Sequence, residues 1–168
     1  MKKVIVIFSL FSLVSCVVSY DTFYKVASPE IVDNIPLGSN KIIVKDTLTL
    51  IENYNSLYKL FLVNSFSIDK ENKDVGYISA SSIYGDATVR INAVCEDKEI
   101  SFTAEWKPGS SSTNATSFIL GVQMISSWNT AQWHGKDTRS YPANCSAVYM
   151  KMYQFASAFG TELIHTNK

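Results

Sequence analysis

The chain has 168 residues with 15 basic and 15 acidic side chains, so its formal net charge is zero, and 46% of its residues are hydrophobic. This composition is typical of one folded globular domain and excludes an intrinsically disordered chain. Because the sequence has no basic patch or block of like charge, we expect no nucleic acid as a partner.

The first sixteen residues have the pattern of a bacterial export signal. Lys2 and Lys3 are followed by an almost unbroken apolar run over residues 4–13, which is too short to span a bilayer. Residues 13–16 read Leu-Val-Ser-Cys and resemble the bacterial lipobox, whose cysteine is acylated and becomes the first mature residue. The resemblance implies that Cys16 is lipidated and that acyl chains anchor the protein in a membrane.

We therefore expect a lipoprotein signal peptide over 1–15 and a location in the bacterial cell envelope. Val17 rather than Asp follows the cysteine, which resembles a signal for the outer membrane. Two other interpretations stay open. An ordinary signal peptidase could cut later, for instance after Ser19, and release a secreted protein, or the segment could be a buried strand of a cytoplasmic protein.

Residues 16–40 are expected to form the lipidated N-terminus and a tether, because Pro29, Pro36 and Gly38 interrupt any regular pattern. The tether also contains three aromatic residues, which suggests that part of it packs on the domain. The rest of the chain, residues 41–168, is expected to form a single domain.

The domain is predicted to open with a strand and a helix. The β-branched run over 41–44 predicts the strand. Asp46 stands where a helix N-cap is expected, and an amphipathic helix is predicted over 47–64. Its apolar positions recur at helical spacing: Leu50, Ile51, Tyr54, Leu57, Tyr58 and Phe61.

Four segments with period two follow this helix and predict an antiparallel sheet covered on one side. A charged turn over 69–74 separates the first two segments, and a tight turn over 96–98 separates the last two. The residues that share the apolar face are Phe66, Ile68, Ile78, Ala80, Val89, Ile91, Ala93, Cys95, Ile100, Phe102, Ala104 and Trp106.

The last third of the chain predicts one more possible strand, over 118–124, and a second amphipathic helix over 143–164. Pro142 suits the start of this helix. Its apolar stripe consists of Cys145, Val148, Met152, Phe155, Phe159 and Leu163.

These elements predict the α+β class, with an antiparallel sheet of about five strands and two helices packed on one face. Ile91, Phe102, Phe61 and Phe155 are expected to be buried together. The strand, helix and hairpin order over Lys41–Trp106, including the segment 64–78, is similar to that of small bacterial envelope lipoproteins. It also resembles uncharacterised Bacteroidetes domains with a fold like the TATA-box-binding protein half-repeat. The resemblance implies a fold and a non-catalytic role, and it transfers no functional residue.

Two cysteines remain after Cys16, and an even pair in an oxidising periplasm is a disulfide candidate. Cys95 and Cys145 both fall on apolar faces, so we expect them to point between the sheet and the second helix. A bridge between them would stabilise the fold by up to about 4 kcal/mol. The alternative is two buried, reduced thiols that pack as small hydrophobic groups.

Motifs for catalysis, metals and cofactors are missing from the sequence. A thiol enzyme would require Cys145 or Cys95 beside His134 or His165, but an inward Cys145 is poorly reactive. The two histidines have no zinc-binding spacing. The acidic residues between 69 and 74 are interleaved with lysines and lack the calcium-loop glycine. We therefore expect no enzyme, no metal and no cofactor.

The best candidate for a binding surface is the aromatic and polar segment that contains Trp128, Trp133, His134 and Tyr141. Aromatic rings beside Asn, Gln and Asp can stack on sugars or anchor a partner protein. The alternative is that Trp128 and Trp133 fill a secondary core under a long loop. A second candidate is the uncovered face of the sheet, or its edge strand, which could accept a partner strand.

The sequence therefore predicts a non-enzymatic, lipid-anchored envelope protein that binds a partner protein or takes part in assembly. Two alternatives remain: a cell-surface lipoprotein that binds a glycan or another ligand, and a thiol-dependent enzyme. No residue pattern identifies a small-molecule ligand.

Overall fold

The computed structural model describes residues 27–84, 87–108, 127–135, 143–160 and 162–167. The signal peptide with Cys16 and the possible strand over 118–124 lie outside these residues. The described helices are α1 (Pro29–Asn34), α2 (Leu50–Val63) and α3 (Ala143–Ala156), and Lys73–Val75 form a 3₁₀ turn. The strands are β1 (Lys41–Lys45), β2 (Ser67–Asn72), β3 (Tyr77–Tyr84), β4 (Ala87–Glu96), β5 (Glu99–Pro108), β6 (Asn129–Thr130) and β7 (Leu163–Thr166).

All of these strands belong to one antiparallel sheet in the order β2-β3-β4-β5-β1-β7, with the short β6 paired to β5. The α+β class and the antiparallel sheet are confirmed. The expected counts of about five strands and two helices are too low, since the described residues contain seven strands and three α-helices.

Helices α2 and α3 both pack on one face of the sheet, as expected. The rings of Phe61 in α2 and Phe155 in α3 lie with their centroids 5.1 Å apart. Ile91 and Phe102 are fully buried in the same hydrophobic core as these two rings. The alternating apolar residues of β4 and β5 therefore form the floor of the core, and the helices cover it.

The start of α2 differs from the sequence prediction. Thr49, not Asp46, is the N-cap, and it forms a capping box in which Thr49 N–H donates to Glu52 Oε2 over 2.9 Å. Asp46 lies earlier in the loop, where its Oδ1 accepts the Leu48 backbone N–H over 2.8 Å. Because a Thr-x-x-Glu pair satisfies two helix-end donors at once, it is the stronger start signal.

The predicted helix over 143–164 is wrong in its second half. Helix α3 ends at Ala156, and β7 begins at Leu163 and pairs with the free edge of β1. Gly160 lies between them at a close approach, where a Cβ would be 2.9 Å from the carbonyl oxygen of Lys45. A glycine there lets the chain pass β1 and return as a strand, which gives β1 its second hydrogen-bonded neighbour.

The described part of the expected tether is packed on the domain. Val32 of α1 and Ile35 just after it are buried in the hydrophobic core. The backbone N–H of Trp133 donates to the Ser39 carbonyl over 2.7 Å, and Asn40 N–H donates to Thr166 O over 2.9 Å. Residues 27–40 are therefore part of the folded unit.

Candidate functional site

The sheet presents a second face, opposite the helices, to which alternate strand residues point. We call this surface the open face. One row of facing residues crosses it through Lys41, Thr103, Asn92 and Ser79, which lie opposite one another on four strands. Their neighbours along each strand carry the apolar side chains of the core. The period-two alternation of the sequence therefore produces this polar surface directly.

Hydrogen bonds fix the centre of the open face. Ser79 Oγ donates to Asn92 Oδ1 over 2.7 Å, and the Tyr77 hydroxyl donates to the same oxygen over 3.4 Å. Ser79 is only 2% exposed, so its hydroxyl is held in place by its neighbours. Asn92 and Thr103 beside it are half-buried and keep side-chain groups at the surface.

A cluster of charged residues around a tryptophan lies at one end of the open face. We call it the Arg90 cluster, and its members are Asp69, Ser81, Arg90, Glu105, Lys107 and Trp128. Arg90 Nε donates to Asp69 Oδ2 over 3.2 Å, and Arg90 Nη1 lies 3.7 Å from Glu105 Oε2. The guanidinium carbon is 3.8 Å from the centroid of the ring of the half-buried Trp128.

A β-bulge in β2 completes this cluster. The pairing with β3 shifts between Ile68 and Lys70, so Asp69 is an extra residue in the strand. Its Oδ1 accepts the Ser81 hydroxyl over 2.9 Å and its Oδ2 accepts Arg90. Bulges re-aim a side chain in this way, and they are not visible in an alternating pattern.

The Arg90 cluster holds a tryptophan at the surface without a net charge. Two carboxylates balance Arg90 and Lys107, whose Nζ lies 4.8 Å from the Trp128 ring centroid. Each partly exposed ion pair contributes little free energy alone, about 0–1 kcal/mol. Cation–π contacts on one ring add about 0.5–1 kcal/mol each at exposed sites. Together these contacts limit the orientations of Trp128 and preorganise it for contact.

The aromatic residues singled out in the sequence do not form one surface. Trp133 is 1% exposed and packs against Tyr149 of α3 with ring centroids 6.0 Å apart, so it belongs to the helical side. Trp128 lies on the open face with Arg90. His134 is exposed, and its backbone N–H donates to Ser146 Oγ over 3.1 Å. Tyr141 lies outside the described residues.

Cys95 is buried under the start of α2 and carries a free thiol. Burial, together with the negative charge of Asp46, raises the pKa of this thiol to about 12, which makes it a poor nucleophile. The side chain of Cys145 lies outside the described residues. The bridge between the two cysteines stays a prediction. Peptide mapping under non-reducing conditions checks it, and two separate cysteine peptides would contradict it.

A histidine and two tyrosines meet under β7, a contact that sequence reasoning missed. The Tyr149 hydroxyl and His165 Nδ1 are 2.7 Å apart, and the ring of Tyr153 stacks on the imidazole at 6.0 Å. Burial lowers the pKa of His165 and raises that of Tyr149. These groups fasten the last strand to α3. The sequence does not reveal this contact, because the apolar stripe predicts a helix that runs to residue 164 in place of the strand that carries His165.

A shallow depression of about 470 Å³ lies between α2 and the end of β2. We call it the tyrosine depression, and its lining residues are Tyr54, Asn55, Tyr58, Glu71 and Lys73. Tyr54 and Tyr58 are stacked with centroids 6.3 Å apart, and the Tyr54 hydroxyl donates to Glu71 Oε2 over 2.6 Å. Burial, followed by this carboxylate, raises the pKa of Tyr54 to about 12, so the hydroxyl stays a donor.

Metal ligands do not gather in the part of the chain that the structure describes, where no group of three or more His, Cys, Asp or Glu residues could hold an ion. The acidic residues of the turn over 69–74 point to different places. Asp69 binds Arg90 on the open face, whereas Glu71 accepts the Tyr54 hydroxyl beside α2. The described helices include none long and apolar enough to cross a membrane.

No protein-family model matches the chain, and no curated protein matches it. Among solved structures it is similar to a DUF4468 family protein from Bacteroides ovatus, with 11% identity, a TM-score of 0.35, and 74% of this chain and 84% of that chain covered. It is also similar to a TBP-like protein from Parabacteroides distasonis, with 13% identity, a TM-score of 0.34, and 70% and 83% covered. At these scores the similarities transfer no residue and no function.

Proposed function

We propose that this chain is a non-enzymatic, lipid-anchored protein of the bacterial envelope, and that it binds a partner protein through the open face of its sheet. The observation that carries the proposal is the Arg90 cluster, which holds the half-buried Trp128 on a face whose other side is packed by helices. Tryptophan and arginine are the side chains most enriched where protein interfaces gain their affinity.

The size of the open face fits one protein interface. The six neighbouring strands contain 43 residues, and a rise of about 3.3 Å per residue with a strand spacing of about 4.8 Å gives a face of roughly 700 Å². A standard interface buries about 800 Å² on each partner. The face therefore offers enough area for specific binding without a second site.

The charge of the open face favours a protein over a polyanion. Arg90 is neutralised by Asp69 and Glu105, and Lys45 is paired with Glu99. A phosphate backbone is bound by unpaired Lys and Arg groups, whereas Arg90 and Lys45 are both paired with carboxylates on this face. Fixed polar groups such as Asn92 and Thr103 are suited to hydrogen bonds with a partner backbone or side chain.

The non-enzymatic part of the proposal is supported by the state of the possible nucleophile. Cys95 is fully buried, and its raised pKa keeps it a thiol. His165, a histidine whose pKa burial lowers, is in contact with Tyr149 on the helical side. A thiol-dependent reaction requires a thiolate and a base in contact with substrate, and this pair of residues does not meet that requirement.

The lipid anchor is tested by replacing Cys16 with Ala in the full chain. We expect metabolic labelling with a tagged fatty acid to mark the wild-type protein in the membrane fraction and to disappear in Cys16→Ala. A wild-type protein without any label contradicts the anchor. Partner binding is tested separately, because a secreted domain could use the same face.

The partner is identified by a photocrosslinking amino acid placed at Thr103 on the open face, with Ser56 on the exposed side of α2 as the control position. A protein that is cross-linked when the amino acid is at Thr103, and not when it is at Ser56, is then purified. Its affinity for this chain is measured by isothermal titration calorimetry. We expect Arg90→Ala and Thr103→Arg to weaken binding at least about tenfold, and the exposed-helix control Lys59→Ala to leave it unchanged. Equal affinities for all variants, or identical cross-links from both positions, would contradict the proposal.

A further inference from the structure

We infer that the tyrosine depression binds the ring of a hexose sugar. This site lies beside α2 and not on the open face, so it adds a ligand to the partner binding proposed above. The inference depends on the shape of the depression, its aromatic wall and the polar groups around it.

The depression has the size and openness expected for one sugar ring. Its volume of about 470 Å³ lies within the range of roughly 300–1,000 Å³ typical of small-ligand sites. It is shallow, so a bound ligand keeps one side in water. An open site of this kind suits a hydrated ligand such as a sugar, and it suits a fully apolar ligand poorly because such a ligand requires enclosure.

Two tyrosines one helical turn apart form the wall. Because Tyr54 and Tyr58 are four residues apart on α2, their side chains lie on the same helix face. Tyr54 is 5% exposed and fixed by Glu71, whereas Tyr58 is half-buried and lines the depression. A pyranose has an apolar C–H face that packs on such a ring while its hydroxyls point to the rim.

The rim supplies both acceptors and donors for those hydroxyls. Glu71 accepts the Tyr54 hydroxyl with Oε2, and its Oε1 accepts no hydrogen bond from the described residues. The Asn55 amide is exposed and has no hydrogen-bond partner within the described ranges. Lys73 holds its ammonium 6.0 Å from the centroid of the Tyr54 ring, at the edge of the same depression.

The charges favour a neutral sugar over a charged ligand. One carboxylate, Glu71, and one ammonium, Lys73, line the depression, so their charges cancel. A strongly charged ligand, whether anionic or cationic, would be attracted by one of these two groups and repelled by the other. Hydroxyl groups can donate to the carboxylate and accept from the ammonium together. The ligand class is therefore a neutral hexose at the end or side of a glycan.

The test is saturation-transfer NMR on the purified full-length chain with glucose, galactose, mannose and N-acetylglucosamine, and with glycerol as a polyol without a ring face. We expect saturation to be transferred from the protein to the ring C–H protons of at least one sugar. We expect no transfer to the protons of glycerol. In isotope-labelled protein, that sugar should shift amide signals over 54–58 and 71–73. No transfer to any of the four sugars, equal transfer to glycerol, or shifts confined to other residues would overturn the inference.

Matched variants decide whether the depression is responsible. Tyr58→Ala removes the stacking face, and Glu71→Gln removes one acceptor while keeping the size of the side chain. We expect both to weaken sugar binding, Tyr58→Ala by about tenfold or more, and Tyr84→Ala, a tyrosine 44% exposed at the end of β3, to bind as the wild type does. If Tyr58→Ala fails to fold by circular dichroism, Glu71→Gln decides. Unchanged binding in the folded variants overturns the inference, whatever the result for the open face.

Discussion

Gly76 follows the 3₁₀ turn before β3 with a backbone φ of +66°, in the left-handed region. A Cβ at this position would lie 2.1 Å from the carbonyl oxygen of Cys95. We therefore expect Gly76→Ala to lower the free energy of unfolding by at least about 2 kcal/mol, measured by urea denaturation.

Gly38→Ala is the matched control for this substitution. Gly38 also has a positive φ, +86°, but an added Cβ would meet only the side-chain nitrogen of Gln132, at 3.3 Å, which donates to the Gly38 carbonyl over 2.9 Å. We expect the free energy of unfolding to fall by about 1 kcal/mol, from backbone strain and a small shift of this side chain. Equal losses of unfolding free energy in Gly76→Ala and Gly38→Ala would show that the close approach of Gly76 to the Cys95 carbonyl does not add to the destabilisation.

His165 makes the stability of the fold depend on pH. Burial lowers its pKa in the folded state below the ordinary value of 6.5, so folding favours the neutral imidazole. The resulting stabilisation is complete above pH 6.5 and is lost as the pH falls through the folded-state pKa. Protonation also places a second donor opposite the Tyr149 hydroxyl, 2.7 Å from Nδ1.

We propose to measure the free energy of unfolding at several pH values from about 7.5 to about 5. This range extends about one unit or more above and below the ordinary pKa of a histidine. We expect the wild type to lose stability more steeply than His165→Phe, which keeps a ring against Tyr153 but cannot titrate. Carboxylates contribute to both proteins, so the difference between the slopes isolates His165. Identical slopes would contradict the argument.

At the scale of the elements, one aromatic contact joins the two long helices above the sheet. Phe61 and Phe155 are 0% and 2% exposed, and their rings are 5.1 Å apart. We expect Phe61→Ala and Phe155→Ala each to lower the free energy of unfolding by about 3–5 kcal/mol, because each leaves a cavity in the core. The double variant should lose less than the sum of the two single losses, since the rings contact each other.

A double-mutant cycle measured by chemical denaturation gives this coupling, which should be about 0.5–1.5 kcal/mol. Leu62→Ala is the control, because Leu62 is the next residue along α2 and is 52% exposed. It should change stability by no more than about 0.5 kcal/mol. Strict additivity of Phe61→Ala and Phe155→Ala would show that α2 and α3 are stabilised independently.

Sequence periodicity predicted the strands that have one apolar face and one polar face. The alternation over 89–95 and 100–106 matches β4 and β5, because among the described residues helices cover each strand on one side only. The apolar stripe of α2 was equally clear. These elements were predictable since their local pattern and their burial agree.

The elements that were missed depend on tertiary contacts. Leu163 continued the stripe of α3 at helical spacing, but its backbone pairs with Val44 of β1 instead. Helix α1 was not predicted, because Pro29 suggests an interruption of regular structure. In the structure Pro29 is the first residue of this helix, a position where proline is favoured. The bulge at Asp69 gives no sequence signal, so the Arg90 cluster could not be derived. The sequence predicted one face of the sheet as a candidate binding surface, but it did not predict that the residues of the Arg90 cluster would meet there.

At the scale of the whole molecule, the packed residues before β1 shorten the link between the proposed anchor and the domain. A tether over 16–40 could extend to roughly 85 Å, at about 3.3–3.6 Å per residue. Since Ala27 is already buried in the hydrophobic core, the link from Cys16 is at most about 40 Å by the same measure. An anchored domain would then find its partner close to the membrane surface.

This argument depends on residues 27–40 being part of the fold, which truncation tests. A chain that begins at Lys41 removes Val32 and Ile35, which are 1% and 5% exposed, and each buried aliphatic side chain contributes about 1.5–3 kcal/mol. It also removes the Ser39 carbonyl that accepts the Trp133 N–H. Compared with a chain that begins at Ala27, we expect a loss of about 3–6 kcal/mol in urea denaturation.

The point variants Val32→Ala and Ile35→Ala in the longer chain serve as controls, because they remove the core contacts and keep the backbone hydrogen bonds. Each should cost about 1–4 kcal/mol, less than the truncation. Equal unfolding midpoints for the chains beginning at Ala27 and at Lys41 would mean that residues 27–40 contribute no stability. The link from Cys16 would then regain its longer reach, and the partner of the open face could lie well away from the membrane.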